Sequence, residues 1–124
     1  MGLICRRYLG IPLKSVTDGS STTFLAGETL PAHWNRNCIF CDNFPVSSTY
    51  IPLNTMEQRP NATNPDANAE YWKTSGFKSM HPGGANMAMG DASVHFVNET
   101  IDWYAWNMLG SAFNGDGAKS DLNQ

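Results

Sequence analysis

The chain has 124 residues, 41% of them hydrophobic and only 15% charged, with a formal net charge of -3. That is one domain or part of one with a modest core, and the low charge excludes a disordered acidic or basic tail. No basic cluster exceeds Arg6-Arg7, and no apolar run approaches the ~20 residues of a membrane span, so the sequence carries neither a nucleic-acid footprint nor a membrane helix.

"GIPLKSV" (Gly10 to Val16) alternates enough to predict a strand. "TDGSS" follows as turn chemistry, with Asp18-Gly19 at the reversal. "TTFLAGETL" (Thr22 to Leu30) is β-branched and apolar and reads as the partner strand, with Glu28 near its end. From Pro31 to Thr74 the pattern dissolves into a long irregular excursion rich in Pro, Asn, Ser and Thr. One extended piece is expected there, at "STYIPLN". "YWKTSGFKS" (Tyr71 to Ser79) then returns to apolar spacing.

"SMHPGGANMAMGDASVHFVNETID" (Ser79 to Asp102) is the most informative stretch. Pro82-Gly83-Gly84 forces a turn, because Pro fixes its own φ and Gly tolerates positive values. Ala85 to Val97 reads as a β-hairpin reversing at Gly90, Asp91 and Ala92. Met87 and Met89 share one face. Val94 and Phe96, with Ile101, are expected to cover the core, and His95 to point the other way. "IDWYAWNMLG" reads as a short helix: Asp102 caps it, Trp103, Trp106 and Leu109 share a face, and Gly110 stops it. The tail from Asn114 is polar and expected to be disordered. Strands, a long loop, a hairpin and a short helix make an antiparallel α+β pattern, not a βαβ one.

His81 and Asp91 invite a catalytic reading, as a base and its orienter. That needs a nucleophile within reach of the base, and Ser79 and Ser93 are merely near in sequence. The structural reading is more economical. A paired hairpin places His81 beyond its mouth and Asp91 at its tip, where Asp accepts backbone N–H bonds. Asp91, Asp102, Glu99 and Glu28 are oxygen donors, but they follow no calcium-loop spacing. The cysteines number three, Cys5, Cys38 and Cys41. An odd count is not a disulfide framework, and no second pair completes a zinc site with "CIFC". Free thiols or one local disulfide remain. In an oxidising compartment the closely spaced Cys38 and Cys41 are the expected pair. Tyr71, Trp72, Trp103, Tyr104 and Trp106 offer either core or a carbohydrate platform, with core the more economical use.

"FKSMHPGGANMAMGDASVHFVNETID" closely resembles the C-terminal signature of the DUF1559 family, the prepilin-type proteins with an H-x9-DG motif that are abundant in planctomycetes. "VTDGSSTTFLAGE", "CIFCDNFPVSSTYIPLN" and "IDWYAWNMLG" resemble further segments in the family order. The signature residues are His81, Pro82, Gly83, Gly84, Asn86, Gly90 and Asp91. The family's Asp-Gly is Asp91-Ala92 here, which predicts that Gly90 takes over the positive-φ position.

The resemblance implies an antiparallel, β-rich, pilin-like head: residues 1–113 as the C-terminal part of a globular head, 114–124 as a polar tail. It implies a non-enzymatic structural or assembly subunit of a type II secretion or type IV pilus-like system. Its implied partners are other pseudopilin-like subunits or the secretion machinery, without nucleic acid and without a cofactor. Such heads lie outside the cytoplasm, anchored through an N-terminal helix that does not occur in these 124 residues. An extracellular solute- or glycan-binding module is the alternative.

Overall fold

A computed structural model describes residues 2–4, 11–30, 47–56 and 75–112. Three strands, β1 (Phe24–Gly27), β2 (Gly84–Met89) and β3 (Val94–Asn98), form one antiparallel sheet in the order β1-β2-β3. One helix, α1 (Trp103–Leu109), follows β3. This is the small α+β arrangement that the sequence pattern predicts. Cys5, Cys38, Cys41, Tyr71, Trp72 and the tail from Asn114 lie outside the described residues.

The hairpin forms in the predicted register, with Ala85 opposite Val97 and Met87 opposite His95. At its tip the Ala92 N–H donates to the Met89 carbonyl at 3.0 Å, and the Met89 N–H donates to the Ser93 carbonyl at 2.8 Å. Ala92 itself is left-handed, with φ 69°. A turn followed by one left-handed residue is the usual three-residue hairpin loop. The expectation that Gly90 supplies the positive φ is therefore corrected. Gly90 is needed for a close approach instead: a Cβ there would lie 2.9 Å from Leu3 Cδ1 and 3.0 Å from the Ser20 carbonyl oxygen.

A second correction concerns β3. Val94 and Phe96 are exposed, at 65% and 51%, whereas Val97 is buried. Cross-strand partners share a face. Met87 and Met89 are fully buried, so their face must take His95 and Val97 from β3, and Val94 and Phe96 turn outward. His95 belongs to the inner face by register but lies at its open end, exposed.

A third correction concerns the front of the chain. No strand forms between residues 11 and 16; Leu13–Ser15 make a 3-10 turn. Pro12 starts it, and its carbonyl accepts the Ser15 N–H at 2.8 Å. Proline has its φ preset for a turn and no N–H to give a ladder. β1 is thus not half of a local hairpin. Its partner is β2, with Phe24 opposite Met89 and Gly27 opposite Met87, and a bulge between Phe24 and Ala26. "STYIPLN" forms turns rather than a strand, though Ile51 and Leu53 are buried.

The core lies between the sheet and α1. Trp106 is fully buried and meets Phe24 at a ring separation of 5.1 Å and Phe77 at 5.9 Å. Its Nε1–H donates to the Ile51 carbonyl at 3.0 Å, so the indole is buried with its polar atom satisfied. Asp102 caps the helix as predicted, accepting from the N–H groups of Tyr104 (2.9 Å) and Ala105 (3.1 Å). Leu109 joins Trp106 in the core, but Trp103 is half-exposed. Gly110 ends the helix in the right-handed region, at φ -81°. Its lack of a side chain serves the contact with Thr49, which a Cβ would overlap.

The left-handed Ala92 yields a stability prediction. Ala92→Gly removes the Cβ strain, partly offset by the extra freedom of the unfolded chain, and should stabilise the domain by up to about 1 kcal/mol. Urea denaturation measures this. A loss of stability would place Ala92 in an ordinary backbone conformation.

Candidate functional site

The signature residues do not gather in one place. β2 separates them into a group at the hairpin mouth and a group at its tip, roughly 17 Å apart for a six-residue strand.

At the mouth the central residue is Glu28, which directly follows β1. Its backbone N–H donates to the Asn86 carbonyl at 3.3 Å, and its own carbonyl accepts from the Lys78 N–H at 2.9 Å. The side chain turns across β2. Oε2 accepts the Asn86 backbone N–H at 2.7 Å, and Oε1 accepts Asn86 Nδ2 at 3.4 Å. His81 Nε2 lies 3.2 Å from Oε1. These bonds, led by the Asn86 N–H and joined by the Ser79 side chain, hold the Glu28 carboxyl below its ordinary pKa. The Glu28 side chain is 34% exposed and that of His81 56%, so the pair is open to water. It sits beside a shallow cleft of about 310 Å³ lined by residues 28–30 and 78–81.

Asn54 provides a second junction close by. It is left-handed, at φ 58°, a conformation that Asn tolerates better than most residues. Its N–H donates to the Phe77 carbonyl at 3.1 Å. Its Oδ1 accepts the Ser79 N–H at 2.8 Å, and its Nδ2 donates to Glu99 Oε2 at 2.8 Å. One side chain thereby joins the 47–56 segment, the 75–80 segment and the end of β3.

At the tip, Asp91 Oδ1 accepts the Ser93 N–H at 2.9 Å and the Ser93 hydroxyl at 2.6 Å. Both bonds hold the exposed carboxyl below its ordinary pKa, the side-chain bond first. Ser93 Oγ also lies 3.1 Å from His95 Nε2. Asp91, Ser93 and His95 therefore meet, but in the wrong order for a triad. The serine oxygen lies between the carboxylate and the imidazole, whereas an activated serine needs the imidazole in the middle. The hydroxyl proton goes to Asp91, which closes the turn.

His81 and Asp91 thus have different partners, Glu28 and Ser93. Pro82 and Gly83 are exposed; the Gly83 carbonyl accepts the Glu99 N–H at 2.9 Å, and Gly84 is buried at the start of β2. The four acidic oxygen donors also separate: Glu28 serves β2, Asp91 the tip, Glu99 meets Asn54, and Asp102 caps α1. Among the described residues no group of three or more His, Cys, Asp or Glu side chains could hold a metal ion.

Glu28 and Asn54 are the residues that sequence reasoning left without a role. The signal for Asn54 was its residue type, Asn after "IPL", where a left-handed turn ends an apolar run. Glu28 gave none beyond its place at a strand end, because its partner Asn86 lies far along the chain.

The fold and this junction define a small antiparallel α+β unit in which polar side chains, Glu28, Asn54 and Asp91 among them, fasten backbone segments together. The chain belongs to the SBP_bac_10 family, described as a protein of unknown function (DUF1559), which matches residues 3–103. No curated protein and no solved structure matches the chain.

The Glu28 junction predicts an acid-sensitive fold. A folded-state pKa below the ordinary 4.5 means that the carboxylate's contribution is full above the unfolded value and is lost as pH falls through the folded one. Glu28→Gln should lower stability at neutral pH by about 1 kcal/mol, the worth of a hydrogen bond to a charged group reduced by its exposure to water. It should also flatten the loss of stability below pH 4.5. Thermal melts of both proteins between neutral and acid pH check this. An unchanged acid slope in the variant would remove Glu28 from the account.

Proposed function

We propose that this chain is a non-enzymatic structural or assembly element, a head fragment of a pseudopilin-like subunit of a type II secretion or type IV pilus-like system. It works outside the cytoplasm, among other subunits of the same kind. One observation carries the reading: the outward face of the sheet exposes large apolar side chains. By register Ala26, Ala88 and Val94 share that face, as do Asn86 and Phe96. Val94, Phe96 and Leu25, the residue within the β1 bulge, are all exposed among the described residues. Large apolar side chains exposed together on one sheet face suit a contact surface. The polar side chains at the mouth and tip support the same reading, since Glu28, Asn54 and Asp91 are engaged in holding backbone.

A binding module is a second reading, favoured by a separate exposed aromatic corner. Trp103 and Tyr50 meet edge-on at 5.8 Å, and Trp103 Nε1–H donates to the Tyr50 carbonyl at 3.1 Å. Both rings are exposed to solvent, which suits stacking on a sugar or another flat solute.

Photo-crosslinking separates the two. A benzophenone-bearing residue in place of Ala26, in cells expressing the complete gene, should give crosslinks to other envelope subunits. Absence of such crosslinks, together with stabilisation of the purified protein by an oligosaccharide such as chitohexaose, would overturn the assembly reading in favour of the binding module.

A further inference from the structure

The ladder between β2 and β3 settles which backbone groups of β3 point away from the sheet. The Met89 N–H donates to the Ser93 carbonyl and the Glu99 N–H to the Gly83 carbonyl. With Ala85 opposite Val97 and Met87 opposite His95, the inward groups on the β3 side belong to residues 93, 95, 97 and 99. Alternation in an antiparallel pair then sends the N–H and C=O groups of Val94, Phe96 and Asn98 to the free edge. The Asn98 carbonyl accepts the Ile101 N–H at 3.1 Å. Among the described residues, no hydrogen bond uses the edge groups of Val94 or Phe96.

The two edges of the sheet are not alike. β1 is short and bulged between Phe24 and Ala26, and bulges are one of the devices by which proteins blunt an edge. Among the described residues, β3 carries neither a bulge nor a charged or proline residue. "VHFVN" contains no Pro, Lys, Arg, Asp or Glu, and its register with β2 is unbroken. It offers a regular strand edge with two large apolar side chains on one face.

We propose that β3 is the edge through which two copies of this chain join, antiparallel, into one continuous sheet. This deepens the assembly reading and rests on it only for its cellular setting. The register follows from the outward groups. A two-fold axis at Phe96 lets both copies exchange N–H···O=C bonds at that residue and sets Val94 opposite Asn98 of the other copy. Such a contact is isologous and closes on itself. It places Phe96 against Phe96 as a cross-strand aromatic pair and joins the two apolar outward faces. His95 falls opposite Val97, so no like charges meet. A heterologous strand from an unrelated protein would satisfy the same hydrogen bonds. The second copy is favoured because the axis at Phe96 stacks that exposed ring on its own copy, joins two exposed apolar faces and opposes no like charges.

The test uses the full chain. Light scattering after gel filtration should show a concentration-dependent dimer, twice the 13.6 kDa of one chain. Hydrogen exchange should show the Val94 and Phe96 amides protected at high protein concentration and unprotected at low. Val94→Pro removes an outward N–H at the first strand position, where proline is tolerated, and should give a folded monomer whose melt matches that of the wild type at low protein concentration. If that variant fails to fold, Phe96→Lys is the substitute and should also be monomeric. A wild-type chain monomeric at every concentration, a folded variant that still dimerises, or a dimer whose Val94 and Phe96 amides exchange freely would each overturn the proposal. Subunit crosslinks from position 26 with no β3 dimer would leave the assembly reading standing without it. A β3 dimer with no such crosslinks would do the reverse.

Discussion

The hydrogen bond from the Asn86 N–H to the Glu28 carboxylate, at 2.7 Å, is the constraint on which the described structure turns. β1 and β2 are far apart in sequence, and the ladder between them is short and bulged. Bringing such segments together carries a loop-closure cost that a few main-chain bonds offset poorly. The carboxylate extends the pairing past the end of β1. It also reaches His81 and Ser79, so the segment leading into the hairpin is fixed in the same step. With β2 held, Met87 and Met89 turn inward under Trp106, and the core closes.

This gives the signature a division of labour. The mouth group fixes where the hairpin begins, and the tip group fixes where it reverses. Between them the register has no freedom, and a slip of one residue would carry the methionines to solvent. Asn54 and Asp102 extend the same principle to the loop and the helix. Each spends one polar side chain on satisfying backbone groups where regular structure stops, which is where such groups lack partners. Large apolar side chains are exposed as well, among them Val94 and Phe96 on the sheet and Trp103 at the helix start.

The hairpin, its register, the Asp102 cap and the buried pair Trp106 and Leu109 were legible in the sequence, because each rests on local spacing. The inward turn of Val97 was legible in principle, since Met87 and the register dictate it, but Val94 and Phe96 look more like core by composition. The pairing of β1 with β2 was hidden: the nearer segment at Gly10 to Val16 alternates suitably, and only Pro12 argued for a turn. The Glu28 contact was the least visible. A glutamate after a strand has many uses, and nothing local marks one whose partner is a distant backbone amide.

Glu28 is held ionised by its bond to the Asn86 N–H and so fastens β2 to the end of β1. Titration of the Glu28 side-chain carboxyl carbon by NMR, followed together with the Asn86 amide proton, tests this directly. The expected result is a midpoint below 4.5 and an Asn86 amide shift that follows the same curve, upfield as the carboxylate protonates. A midpoint at or above 4.5, with an Asn86 amide indifferent to it, would contradict the account.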